Sequence, residues 1–491
     1  MDSSLSRHPS FLTFFMAPPP PIKPLELPEI LVRISRFVTA NDAVVCAQVS
    51  KAWSEHFTTA VWHTIDFDVH KNLLKINTAA LAKYSPHIRV VKNIKERSHI
   101  LVLIVSNASK LRRLSVTMSA TQEFYANFSD LLRQVNTSIE DIDILQSPGD
   151  NAAPFFAVDS IFSMTGTGTT SKLSSLKIQG LTITRDAFSS LLKACPALTC
   201  LNIRDTNLSS LPIYDKAGTR CHQHTGLTRL RAPIEQVFKT DQQSSDAPSL
   251  FVHFPNLTTW ITRKWTTGGS GDVPYKVIRT EIAKHCPSLK KLWTKTPAPM
   301  TTGMLSEVFD DLTTVCILTE QFSIEMVMAI LNHQESLNAV YTFKSHDNLY
   351  DSGEVPEVKN IQLETNGWII QSIPRRCPEL TKLKFPLYEM SMDDIEKAKW
   401  KCRDLEELFI RIRGLNTKEK IDRAIQLWKD GRIIIKKIQV NGEQALASTS
   451  LQLNSVLSPG DGSIEARVAR HLLKFKKLRE VWLGWRIEKV A

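Results

Sequence analysis

Cys195-Pro-Ala-Leu-Thr-Cys-Leu-Asn-Ile203 returns as Cys286-Pro-Ser-Leu-Lys-Lys-Leu-Trp293 and again as Cys377-Pro-Glu-Leu-Thr-Lys-Leu-Lys-Phe385, the three cysteines standing 91 residues apart each time. The shared core is LxxLxI, whose second and third apolar residues are two apart and so lie on one face of a short strand. Looser copies fill the intervals. With the first apolar residue of each as anchor, the series is Ile88, Leu111, Ile139, Leu173, Leu198, Leu227, Leu257, Leu289, Leu312, Leu337, Val358, Leu380, Leu405, Ile435 and Leu478. All spacings but the last fall between 21 and 34 residues, and the units anchored at Val358 and Ile435 match the pattern least well. A helical stretch precedes many copies, as at 187–194, 277–285 and 324–331. Each strand–helix unit has an apolar side that it cannot bury alone, so neighbouring units must stack.

A strand–helix unit of this period resembles the leucine-rich repeats, in particular their Cys-Pro-containing kind. The resemblance implies an α/β fold over residues 67–491: a solenoid with a curved parallel sheet inside and helices outside. Loop insertions are expected near 147–171, 266–274 and 441–463, where the spacing is long and the sequence loop-like. The recurring cysteine reads as a small apolar group closing the end of a helix rather than as a reactive thiol.

The N-terminal part has a different character. Residues 1–24 read as a flexible tail ending in prolines, and a helical pattern starts at Leu25-Glu-Leu-Pro-Glu-Ile-Leu-Val-Arg-Ile-Ser-Arg-Phe-Val38. Pro28 suits the first turn of a helix, where no intrahelical partner is lost. Ile30, Leu31, Ile34, Phe37 and Val38 form one apolar face. Asp42 is placed to cap a second helix, and Val45, Val49 and Trp53 follow at four-residue steps as one stripe, bent near Ser50. Trp62 and Ile65 close the unit. Three short helices in so few residues make too small a core to be comfortable alone, which argues for a docking module.

Leu27-Pro28-Glu29-Ile30-Leu31, then Ile34, Asp42, Val49-Ser50-Lys51, Trp53 and Trp62 resemble the F-box in order and spacing. The resemblance covers residues 25–66 and implies docking on the Skp-type adaptor of a cullin-based ubiquitin ligase. It places Leu27, Pro28, Ile30, Leu31, Ile34, Val49 and Trp53 at adaptor-facing or packing positions. Ala43 departs from the pattern, which has a larger aliphatic residue there, and this lowers the expected adaptor affinity.

The chain has 491 residues, 42% hydrophobic and 23% charged, an ordinary globular composition that excludes a disordered or fibrous protein. Its longest strongly apolar run, Ile100-Leu-Val-Leu-Ile-Val105, is far too short to span a bilayer. Without a basic lead or cleavage pattern at the N-terminus, the expected compartment is cytosol or nucleus with reduced thiols. Eight cysteines without a CxxC pair indicate neither zinc nor a disulfide framework. Cys221-His-Gln-His224 lacks a second ligand pair and reads as a surface loop. Thr165-Gly-Thr-Gly-Thr-Thr-Ser-Lys172 lacks the glycine before lysine that a phosphate loop needs. The basic stretch Lys474-Phe-Lys-Lys-Leu-Arg479 has apolar residues at core-like spacing and reads as a solvated helix-to-strand face. No motif of intrinsic catalysis is present, so no cofactor and no catalytic residue are expected.

The net charge of +11 favours acidic partners. On the inner sheet of a solenoid, positions +2, +4 and +6 from each anchor face outward. They carry thirteen basic residues against five acidic ones, a surplus of +8. The candidate client-binding residues are Arg229, Arg231, Arg263, Lys291, Trp293, Lys295, Tyr341, Lys382, Lys384, Phe409 and Arg411. Aromatics among Arg and Lys suit an acidic or phosphorylated peptide, although Lys and Arg also favour exposed strand positions in general. The reading is a substrate-recognition subunit that positions a protein client, with ubiquitin transfer carried out by other subunits. The alternative is a basic scaffold that binds nucleic acid or ribonucleoprotein, whose affinity would fall steeply with salt.

Overall fold

In the computed structural model, every described strand of the repeat opens two residues after its anchor. The structure describes residues 27–35, 37–70, 78–118, 121–146, 172–203, 206–208, 222–238, 249–263, 273–296, 298–318, 322–343, 367–441, 461–484 and 486–489. The tail, the insertion at 147–171, most of those at 266–274 and 441–463, the glycine-rich loop before Lys172 and the unit anchored at Val358 lie outside these residues. What is described is a mixed α/β protein with a large parallel sheet and accompanying helices. It divides into two compact units, residues 1–114 and 115–491.

The first unit contains helices α1 (Pro28–Ser35), α2 (Ala40–Cys46) and α3 (Lys51–His63) and strands β1 (Thr64–Asp66) and β2 (Val90–Ile94). Strand β3 (Arg113–Met118) carries the boundary. The expected break after residue 66 therefore falls inside a compact unit. Its β1 pairs in parallel with β2, Thr64 opposite Val90, and Trp62 stacks on Tyr84 at 4.9 Å. Pro28 opens α1 as expected. The second cap differs from the sequence reading. Thr39, not Asp42, caps α2: its hydroxyl accepts from the Asp42 N–H and donates to the Asp42 carboxylate at 2.7 Å. Ser50 caps α3 through the Trp53 N–H, so a new helix begins where a bend was expected.

The second unit is built from β4 (Asp141–Gln146), β5 (Ser175–Gln179), β6 (Thr182–Ile183), β7 (Cys200–Asn202), β8 (Asn207–Leu208), β9 (Arg229–Arg231), β10 (Thr259–Arg263), β11 (Lys291–Lys295), β12 (Thr314–Leu318), β13 (Ala339–Phe343), β14 (Lys382–Met390), β15 (Glu407–Ile412), β16 (Glu480–Leu483) and β17 (Arg486–Lys489). Strands β6 and β8 form a separate two-stranded sheet. The others pair in chain order, all parallel until β17 adds antiparallel to β16. The register keeps the +2 residues in one row: Asp141, Ser175, Cys200, Arg229, Thr259, Lys291, Thr314, Ala339, Lys382, Glu407 and Glu480.

The core runs beneath that row. Every described anchor except Ile435 is buried, and so is the +3 residue of each described strand of the repeat, from Val91 through Ile142, Leu176, Leu230, Trp260 and Leu292 to Val481. Burying each such side chain contributes roughly 1.5–3 kcal/mol. The helices 185–194, 275–285 and 324–331 appear where the pattern placed them. Ile435 was misread: it lies in the helix Lys418–Asn441, whose buried Ile421, Ala424, Ile425 and Trp428 keep helical spacing.

The repeated cysteine closes helices as expected. The N–H groups of Cys195, Cys286 and Cys377 donate to the carbonyls of Leu191, Ile282 and Ile373, and each cysteine carbonyl then receives the N–H of its anchor leucine. All three thiols are buried, as is Cys402 in a unit without the proline. Burial pushes each of these four thiols up to about 12. The Cys286 thiol donates to the Phe254 carbonyl at 3.2 Å.

Candidate functional site

Two surfaces carry the candidate residues, one in each unit. In the first, Leu31, Ala43 and Phe57 form a small buried core, with Ile34, Val38, Cys46, Trp53 and Val61 packed around it. Leu31 is thus a packing residue and offers no surface to a partner. Ala43 occupies a fully buried position against Leu31 and Phe57, so its small size matches the space that those side chains leave. Phe57 was overlooked in the sequence, although it follows Trp53 by one helical turn and stacks on it at 5.2 Å.

The apolar side chains left outside this core are numerous. Pro28 and Val49 are exposed, whereas Leu27, Ile30 and Trp53 are half-buried. Helix α1 ends at Ser35, which leaves Phe37 in a turn with 83% of its surface exposed instead of on the helix face. Val45 at 65% and Val49 at 62% are equally uncovered, so they do not share a stripe with the half-buried Trp53. Three large apolar side chains, Phe37, Val45 and Val49, thus stay largely exposed beside a buried core of three residues.

In the second unit, the +4 residues form another continuous row. It runs Asp143, Lys177, Asn202, Arg231, Ile261, Trp293, Cys316, Tyr341, Lys384, Phe409 and Trp482. Sequence spacing treated all such positions as outward. The structure corrects this for Arg231 and Phe409 and, at +6, for Arg411, which are buried, as are Asn202, Ile261, Cys316 and Trp482 of the same row. The Phe409 ring is flanked by Lys384 at 4.1 Å and by the Trp482 ring at 5.9 Å, long side chains one strand away on either side.

Two of the candidate lysines are already engaged. Lys382 and Lys384 both pair with Glu407, the latter at 2.6 Å. Burial opposes ionisation of Glu407, but hydrogen bonds from the two lysines outweigh it and hold the carboxyl below its usual range. Lys384 also lies 4.1 Å from the centre of the Phe409 ring and 5.7 Å from that of Tyr341. It is a clamp within the sheet face. Burial, with Glu407 next, pushes the Tyr341 hydroxyl up. The signal for this pairing was present in the sequence: Lys382 and Glu407 are the +2 residues of successive units.

The remaining candidates differ. Arg229 and Lys291 are exposed and Trp293, Lys295 and Tyr341 half-buried. Arg263 lies in register with Lys295, and its side chain is outside the described residues.

His224, read as part of a surface loop, is buried. Its Nε2 donates to the Cys195 carbonyl at 2.8 Å, and its Nδ1 accepts the Leu227 N–H. His333 does the same with the Leu305 carbonyl and the Leu312 N–H. Both rings brace successive units. Among the described residues, no group of His, Cys, Asp and Glu is arranged to hold a metal ion, and no helix is long and apolar enough to cross a membrane. In comparison with known proteins, the chain matches no family model and no curated protein.

Proposed function

We propose that this chain is a substrate-recognition subunit of an SCF-type ubiquitin ligase. Its F-box-like head docks on a Skp-type adaptor, and through it on a cullin, while the repeat domain holds a protein client. The observation that carries the reading is the head: α1–α3 bury Leu31, Ala43 and Phe57 and leave Phe37, Val45 and Val49 uncovered. The F-box-like residues in the sequence and the strand–helix units that follow support the same reading. On this reading the units stack as a leucine-rich-repeat solenoid. The function is positioning: a held client raises the effective concentration of its lysines near a ubiquitin-charged enzyme carried elsewhere in the assembly. No bond is made or broken by this chain.

The test is co-purification of the full chain with a Skp-type adaptor, beside a Val45→Asp, Val49→Asp double variant. Both positions are exposed, so the variant keeps its fold, which circular dichroism checks; Leu31→Asp would instead unfold the head. We expect the wild type to retain the adaptor and the variant to lose it by about a hundredfold, as for two central apolar contacts. A folded wild type that binds no adaptor overturns the reading and moves the basic nucleic-acid scaffold to first place.

A further inference from the structure

The charge of the sheet face is unevenly distributed once its internal pairs are removed. Lys177 is held by Asp143 at 2.7 Å, and Lys382 and Lys384 share Glu407. Arg229, Lys291 and Lys295 have no ion pair among the described residues. They surround one place. Arg229 and Lys291 lie in the same row with Thr259 between them, two strand spacings or about 10 Å apart. Lys291, Trp293 and Lys295 alternate along β11 and so share its outer face, at steps of about 7 Å. Beside them the Trp293 and Tyr341 rings, 6.2 Å apart at centre, border the buried Cys316. The result is an apolar shelf flanked by cations that carry no carboxylate partner among the described residues, Arg229 donating a hydrogen bond to the Cys200 thiol.

We propose that β9–β11 and this shelf read a short, extended, carboxylate-rich segment of a protein client. The client's Asp and Glu side chains meet Arg229, Lys291 and Lys295, and one apolar side chain lies on Trp293 and Tyr341. This rests on the receptor reading above. The extent of the patch selects the occupant. Ten ångströms is the length of about three extended residues. On either side of the patch the cations of the same rows are already engaged, Lys177 by Asp143 and Lys382 and Lys384 by Glu407. A brief acidic segment spans the three cations that carry no carboxylate, whereas a polyanion that tracks the whole face gains less beyond them.

Fluorescence anisotropy of the full chain tests the proposal with four labelled probes: the peptide Gly-Asp-Glu-Phe-Glu-Asp-Gly, its Asn/Gln counterpart, its counterpart with Ala in place of Phe, and a twelve-nucleotide thymidine strand. We expect the acidic peptide to bind and the amide peptide not to. Lys291→Gln with Lys295→Gln should weaken binding about tenfold or more, while Lys193→Gln with Lys276→Gln on helices leaves it unchanged. Trp293→Ala should remove the advantage of Phe over Ala in the probe. Equal binding by the β11 double variant, absence of binding by the folded wild type, or tighter binding of the thymidine strand would each overturn the proposal. Adaptor co-purification on the same preparation separates the two readings. Adaptor retained without acidic-peptide binding removes this surface alone. Acidic-peptide binding without adaptor removes the ligase reading and leaves the surface standing.

Discussion

His471 is packed edge-on between Trp400 and Phe475, with ring centres 4.8 and 5.2 Å away, and neither ring nitrogen has a hydrogen-bond partner among the described residues. Burial, assisted by Lys474 and Arg403, pushes its pKa down to about 3. The folded ring stays neutral where the unfolded one, at an ordinary value near 6.5, takes up a proton. Its contribution is therefore intact above about pH 6.5 and is lost progressively as pH falls toward 3. By pH 5 the loss is about 2 kcal/mol. His471→Leu removes both the titration and the unmet polar atoms. Urea unfolding at pH 7.5 and pH 5 should show the variant at least as stable as the wild type and less sensitive to acid; an unchanged pH dependence would refute the account. The contrast with His224 and His333 is one of partners: those rings satisfy both nitrogens on the backbone of adjoining units.

Successive strand–helix units are also joined by hydroxyl groups. At +1 from the anchor, Ser174, Thr199, Thr228 and Thr258 each donate to the backbone carbonyl of the +1 residue one unit earlier, at 3.0–3.3 Å. Thr313 and Thr381 repeat the contact further along. The +1 position thus favours a short β-branched hydroxyl, which fits an extended backbone and reaches the neighbouring strand. Thr228→Val and Thr258→Val keep the shape and remove the bond, and each should cost roughly 0.5–1.5 kcal/mol, read as a lower urea midpoint at unchanged slope. The helix Lys418–Asn441 shows the opposite case. Ile433-Ile-Ile435 is β-branched and looks like strand by composition, yet Ile421, Ala424, Ile425 and Trp428 one to three turns earlier carry a helical face into the core. Burial of that longer face outweighs a three-residue propensity.

Across the second unit, each paired strand contacts its neighbours in chain order, so damage should spread from its point of origin rather than act everywhere at once. Leu292 is fully buried at +3 in β11, and Leu292→Ala should cost about 2–5 kcal/mol. Hydrogen exchange is expected to lose protection most in β10–β12 and least in β4 and β5. Equal loss throughout would show that the unit opens as a single cooperative whole.

Anchor spacing, the alternation of the strands and the helix-closing cysteines were all readable in the chain, because each depends on residues within a few positions of one another. From these followed the thirteen described strand starts. That this head holds short helices opening at Pro28 was legible too, since Pro28 and the apolar period are local signals, but their ends were not: α1 stops at Ser35, Thr39 caps α2, and Ser50 starts a new helix. What the spacing could not decide was which outward positions stay available. Lys384 is spent on Glu407, 23 residues on, Arg231 is buried, and Phe409 is flanked by Lys384 and Trp482 of the neighbouring strands. Leu31 disappears beneath Phe57 while Val49 remains open. Those outcomes depend on which side chains tertiary packing places side by side, and on the size and charge each finds there. Period and propensity determined the elements; neighbours brought together by the fold determined the surface.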